Sequence, residues 1–120
     1  MPLCLVLSDD LLDASRIAGH GRAADFDVIQ CRDSTALVAA LNKGPVLTLL
    51  DLHNVGLDIA EVVAALRAGG VKKVIGFGSH VDAARLKAAR AAGCDEALPR
   101  SAFFEGLEAK MEEWMPRPEK

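Results

Sequence analysis

The sequence predicts an α/β fold, a doubly wound five-stranded parallel sheet with helices on both faces, and three observations carry that reading. Short apolar runs alternate with longer stretches of helical period, the order that yields parallel strands joined by crossover helices. A chain of 120 residues, 51% of them hydrophobic, suits one domain with one core. The run 46–50, Val-Leu-Thr-Leu-Leu, is apolar at nearly every position, as a strand buried on both faces should be.

Taken in order, the strands are expected at 3–7, 26–31, 46–50, 74–77 and 96–98, the last short and rich in charge. The first helix is expected over 11–18, cut short because Gly19 and Gly21 flank His20 and each glycine costs about 1 kcal/mol in a helix interior. The second spans 34–42 and ends at Gly44. In the third, Ile59, Val62, Val63 and Leu66 recur at i, i+3, i+4 and i+7 and turn one face to the sheet. Asp58 is placed to cap it, with Glu61 three residues on as in a capping box and Gly69-Gly70 as the stop. The fourth spans 82–92 and ends at Gly93. The fifth runs over 101–114 with Phe103, Leu107, Met111 and Trp114 as its buried stripe. The domain is therefore expected over 1–115, followed by a polar, proline-bearing tail over 116–120.

Fourteen basic side chains against seventeen acidic ones give a net charge of -3, without the basic excess that nucleic-acid binding demands. No apolar run is long enough to cross a bilayer and no basic flank marks a signal peptide, so a cytoplasmic location is expected. Cys4, Cys31 and Cys94 are odd in number and lie in or beside apolar runs, where a free thiol acts as a small hydrophobe.

In an open parallel sheet a ligand site forms at the carboxyl ends of the strands. Ser8-Asp9-Asp10 follow the first strand, Asp51-Leu52-His53-Asn54 the third, Gly78-Ser79-His80 the fourth and Pro99-Arg100-Ser101 the fifth. Carboxylates brought together repel, and an oxygen-seeking divalent cation relieves that repulsion. Mg²⁺ is the natural choice, held by Asp51 and Asp10, by water on Asp9 and by the backbone carbonyl of His53. Asp51 is then a carboxylate nucleophile toward phosphorus, with Ser79 and Arg100 bonding the phosphoryl oxygens. An aspartate after a strand is also a common helix cap, a role open to Asp9 and Asp10 singly. His53 and His80 share this edge and raise a transition-metal site as an alternative. His20 reads as a surface residue.

From residue 3 to residue 114 these motifs resemble the receiver domain of bacterial two-component response regulators. Leu-Val-Leu-Ser-Asp-Asp is similar to that family's first strand, with Asp9 and Asp10 at its acidic pair. Asp51 falls at the phosphoacceptor, Asp58 at the aspartate seven residues on, and Ser79 at the hydroxyl residue. Gly-Cys-Asp-Glu-Ala-Leu resembles the approach to the lysine of the fifth strand. The resemblance implies a three-layer sandwich of flavodoxin-like type with strand order 2-1-3-4-5. It implies an Mg²⁺-dependent phosphoprotein that is not a dedicated enzyme, fed by a histidine kinase or phosphotransfer protein. A downstream protein would read the face of the fourth helix, fifth strand and fifth helix. The sequence departs from the family at five positions: Arg100 stands for lysine, Ser101 for proline, Ala97 for the usual aromatic, Ile59 for glycine and His80 for a small residue. Arginine's planar fork is not equivalent to a lysine at a tight site.

Two functions follow. One is a stand-alone receiver that accepts a phosphoryl group on Asp51 and signals by protein–protein interaction. The other is a pseudo-receiver that binds protein without phosphorylation, as an adaptor or a homodimerising unit. A small metal-dependent hydrolase on the same scaffold is a third reading, with no evident substrate pocket or general base to support it.

Overall fold

A computed structural model describes residues 1–116. Of the expected tail 116–120, all but Pro116 lies outside the described residues. Five parallel strands, β1 (Leu3–Leu7), β2 (Asp27–Cys31), β3 (Leu47–Asp51), β4 (Lys73–Gly78) and β5 (Glu96–Pro99), form one sheet in the order β2-β1-β3-β4-β5. The helices are α1 (Leu11–Ala23), α2 (Ser34–Ala39), α3 (Ile59–Ala68), α4 (Ala83–Ala91), α5 (Arg100–Phe104) and α6 (Leu107–Trp114).

Alternation along the strands divides the core in two. Leu5, Leu7 and Leu50 point to one face, where they meet Leu37, Val62, Val63, Leu66 and Leu86 from α2, α3 and α4. Cys4, Val6, Leu47, Leu49, Ile75 and Phe77 point to the other, where Ile17 of α1 and Phe103, Leu107, Met111 and Trp114 cover them. Phe77 stacks on Phe103 with ring centroids 4.3 Å apart, which fastens β4 to α5. All three cysteines are buried. Burial pushes their thiols up, that of Cys94 to about 11, which keeps them protonated and apolar in character.

The structure corrects the expected ends of several elements. α1 does not stop at Gly19 but continues through Gly21 to Ala23, and the chain then turns at Asp25, whose φ is 69°. Gly21 is in the helix because the sheet comes close there: a Cβ would stand 2.6 Å from Val28 Cγ2 and 3.1 Å from Met111 Cε. The second helix changes to a 3₁₀ turn over Ala40–Lys43 before Gly44. The fifth helix is in fact two, α5 and α6, parted at Gly106, whose φ is 61°. The cap of α3 is as the sequence suggests, since Asp58 accepts the Glu61 N–H at 3.0 Å, and α4 begins one residue later than expected because Asp82 is its cap, accepting the Arg85 N–H at 3.1 Å.

β5, the least apolar strand, is held by charge. Asp95 Oδ2 accepts the Val74 N–H at 2.8 Å and an Arg67 N–H at 2.9 Å, and Arg67 also donates to the carbonyls of Lys72 and Gly93. Burial alone would raise the Asp95 carboxyl, but these donors hold it below the usual range.

The two glycines of α1 should respond oppositely to alanine. At Gly19 no atom lies within 4 Å of the added Cβ, and Gly19→Ala is expected to stabilise by about 0.5–1 kcal/mol. Gly21→Ala must push Val28 aside, and a net loss of about 1–2 kcal/mol is expected after the helical gain. Urea unfolding of both variants measures the difference, and equal signs would show that the α1–sheet approach is looser than described.

Candidate functional site

The register of the sheet decides what meets Asp51. Leu7 pairs with Leu50, so Ser8, the first residue after β1, comes level with Asp51, the last of β3. On its other flank Asp51 pairs with Phe77, and Gly78 then ends β4 against Pro99 of β5. Asp51 is half-buried at the centre of this edge. Its Oδ1 accepts the His53 N–H at 2.9 Å, closing the turn after β3. Burial raises the carboxyl above its ordinary value, opposed by that N–H and by the charge of Arg100, while Asp13 adds to the rise.

The acidic pair after β1 is divided. Ser8, fully buried, is level with Asp51, and its Oγ accepts the Asp10 N–H at 3.1 Å. Asp10 lies two residues beyond, and its Oδ1 accepts the N–H groups of Leu12 at 2.9 Å and Asp13 at 3.0 Å as the N-cap of α1. Asp9 is exposed. Of the expected set Asp9, Asp10, Asp51 and His53, Asp10 is thus turned to its helix. Among the described residues no three His, Cys, Asp or Glu side chains are grouped so as to hold a metal ion. Of the expected Mg²⁺ donors Asp10 is engaged by its helix, and Ser8 takes the position level with Asp51; Asp9, Asp51 and the backbone carbonyl of His53 are the groups that would hold the ion.

Arg100 has a partner that the sequence reading missed. Its two terminal nitrogens donate to both carboxylate oxygens of Asp13, at 2.7 and 2.8 Å, across the gap between α1 and α5. Asp13 lies on the buried stripe of α1 with Ala14, Ile17 and Gly21. An acid on the apolar face of a helix requires a counter-charge, and that misplaced acid was the signal available in the sequence. The guanidinium also lies 5.3 Å from the Phe104 ring centroid, and the hydrogen bonds to Asp13 hold it more firmly protonated.

The histidines separate in the same manner. His53 leans over the end of β4, where its Nε2 accepts the Ser79 N–H at 2.9 Å, so that nitrogen is not free to ligate a metal. A Cβ on Gly78 would stand 3.1 Å from the same nitrogen, which explains glycine there. The Ser79 Oγ accepts the Val81 N–H at 3.3 Å, and His80 is exposed. Arg85, also unforeseen, donates to the Leu52 carbonyl at 2.9 Å and to Asp82 at 3.0 Å, which ties the loops after β3 and β4 together.

With the geometry described, comparison with known proteins gives the class. No protein-family model matches the sequence, and no curated protein is significantly similar to it. Solved structures do match. A two-component response regulator from Clostridium difficile superposes with a TM-score of 0.83 at 14% identity, over 98% of this chain and 98% of that chain. A response regulator from Thermotoga maritima gives 0.81 at 14% identity, over 96% and 98%. The receiver domain of the Francisella response regulator 1452 gives 0.78 at 18% identity, over 95% and 96%. The chain has the receiver fold, a five-stranded parallel sandwich of flavodoxin-like type.

Three substitutions test this site. Arg100→Ala leaves the buried Asp13 without its counter-charge and is expected to cost about 1–3 kcal/mol in urea unfolding. A double variant with Asp13→Ala should cost less than the sum of the two single changes, and strict additivity would show that the pair is not coupled. Asp51→Asn acts in the other direction. Because the folded carboxyl is raised, the folded state binds its proton more tightly, and stability is lost as pH rises from the unfolded value through the folded one. Asp51→Asn should therefore melt at a higher temperature than wild type at pH 7, with the advantage gone at about pH 3, below the unfolded carboxylate value. Calorimetry at the two pH values checks the sign.

Proposed function

We propose that this chain is a pseudo-receiver, a receiver-fold module that binds a protein partner without phosphorylation. The observation that carries the reading is the bidentate bond between Arg100 and Asp13, at 2.7 and 2.8 Å. A phosphoryl group on Asp51 would need that guanidinium, and the fork already matches one carboxylate. The neighbouring groups are likewise engaged within the chain. Asp10 caps α1, His53 holds the Ser79 N–H, and the Ser79 hydroxyl holds the Val81 N–H.

The same edge carries apolar side chains that the core does not use. Leu11 is 70% exposed, Leu12 78%, Val55 84% and Val81 79%, and they follow β1, β3 and β4, the three central strands. Large apolar side chains gathered around one edge mark an interaction surface. On this reading the edge receives the apolar surface of a downstream protein or of a second copy of this chain. No helix among the described residues is long and apolar enough to cross a membrane. The module is not a dedicated enzyme.

A second reading, phosphoryl acceptance on Asp51 from a histidine kinase or phosphotransfer protein, is favoured by one observation. Asp51 is central on the edge, and Arg100 is close enough to oppose the rise of its carboxyl. It requires Arg100 to leave Asp13 and Asp10 to leave its cap.

Intact-mass measurement after incubation with acetyl phosphate and Mg²⁺ separates the two. The pseudo-receiver reading expects no phosphoryl adduct on wild type. An adduct that disappears in Asp51→Asn would overturn it in favour of the switch.

A further inference from the structure

The two margins of the sheet are closed differently. β2 and β5 each have a neighbouring strand on one side only, and a margin left open is a template for another strand. β5 is blocked, since Pro99 has no N–H to offer and Arg90 donates to the Ala97 carbonyl at 2.6 Å. β2 carries no such device. Its five residues pair with β1 in unbroken register, without proline, lysine or bulge, and its one charge is Asp27 at the start. The ladder decides which backbone groups are left over. The Asp27 N–H donates to the Pro2 carbonyl and the Cys31 carbonyl accepts the Ser8 N–H, so Asp27, Ile29 and Cys31 turn their backbone groups to β1. The N–H and C=O of Val28 and Gln30 therefore point out of the margin and meet no backbone partner among the described residues. Val28, Ile29 and Gln30 are only half-buried. Beside Val28 and Gln30, α1 presents the small side chains of Ala14, Ser15 and Ala18 across a groove. The Gln30 side chain is drawn inward, its Nε2 donating to the Ser8 carbonyl at 2.8 Å.

We infer that the β2 margin is a self-association surface, on which a second copy of this chain adds its own β2 antiparallel about a two-fold axis and extends the sheet. The outward groups select that occupant. With Val28 opposite Gln30 of the second copy, and Gln30 opposite its Val28, each pair exchanges both N–H···O bonds and no outward group of either strand is left over. Ile29 then lies on the axis opposite its own copy, at a non-hydrogen-bonded position where side chains approach closest. Asp27 falls opposite Cys31, so the two carboxylates stand at far ends of the ribbon. The neighbouring registers are closed. A shift of two residues one way sets Val28 against Arg32, whose carbonyl already accepts from Asn54 at 3.0 Å. The other way sets Gln30 against Phe26, whose N–H is already bonded to the Gly21 carbonyl at 2.9 Å. A foreign segment would have to be ordered on binding, whereas a second β2 is already extended. β1 stands between β2 and β3, so this contact uses neither Asp51 nor the exposed Leu12, Val55 and Val81, and it stands apart from the pseudo-receiver reading.

The test is sedimentation velocity of the full chain with residue-resolved amide exchange, both from about 10 μM to about 1 mM, the range of a weak contact of small area. A monomer–dimer equilibrium is expected. Across that range the Val28 and Gln30 amides should gain about tenfold protection or more, while Ile29, already bonded to β1, changes less. Gln30→Pro deletes an outward N–H and no ladder bond to β1, and it should weaken dimerisation by about tenfold or more. Ile29→Cys tests the register. With oxidised glutathione as oxidant its thiol should cross-link to its twin, because non-hydrogen-bonded antiparallel partners lie within disulfide range. Val81→Cys, on the Asp51 edge, should not. A chain that stays monomeric, exchange at Val28 and Gln30 that is independent of concentration, or cross-linking through Val81→Cys and not through Ile29→Cys would each overturn the assignment.

Discussion

Burial of β1, β3 and β4 between two helical layers places a constraint on everything else in the molecule. Leu5, Leu7, Leu47, Leu49, Leu50, Val74, Ile75 and Phe77 have essentially no exposure, so these strands accept almost no polar group along their length. Thr48 is the exception: it is fully buried in β3 and its hydroxyl has no partner among the described residues. Charged and hydrogen-bonding side chains are therefore displaced to the strand ends. Asp51 is the first residue of β3 that can carry a charge, and it does so only half-buried, with its carboxyl raised.

The same constraint governs which charges meet. Ser8 is level with Asp51 and fully buried, so the small hydroxyl residue takes the place where an acid would have been most costly. The acids come later, one in solvent and one on the α1 cap. Asp13 then enters the interior on the next turn of the helix, where it is only 5% exposed. A guanidinium on the facing helix is the economical answer, since its planar fork satisfies both oxygens with one side chain. A lysine at position 100 would supply charge to that carboxylate but not two parallel bonds. Arg100 is thus explained by Asp13 before any ligand is considered.

Much of this was legible in the sequence. The strand count, the apolar character of β3, the cap of α3 and the edge on which Asp51 stands all follow from period, turn residues and capping rules. Gly21 was not, because glycine is a sign both of a helix stop and of close packing, and only the position of Val28 decides between them. The break at Gly106 was hidden by an apolar stripe that runs through it, Phe103, Leu107, Met111 and Trp114 all being buried in one cluster. The site was legible as a set of residue types but not as a set of bonds. Capping and metal ligation draw on the same oxygens, and the register puts Ser8, not the acidic pair, level with Asp51, with Asp10 spent on the α1 cap.

Ligands of a switch must be able to change partners, since a ligand or modification shifts an equilibrium only through states that bind it differently. On the Asp51 edge four polar side chains are bonded within the chain: Arg100 to Asp13, Asp10 to α1, His53 to the Ser79 N–H and Arg85 to the Leu52 carbonyl. Each of these bonds joins two elements or fixes a loop. A surface held in this way loses little further freedom when it docks. The side chains left without a role inside the molecule, Leu11, Leu12, Val55 and Val81, are those that gain most by being covered. On the pseudo-receiver reading proposed above, this polar frame with its apolar rim serves recognition and not the exchange of a phosphoryl group.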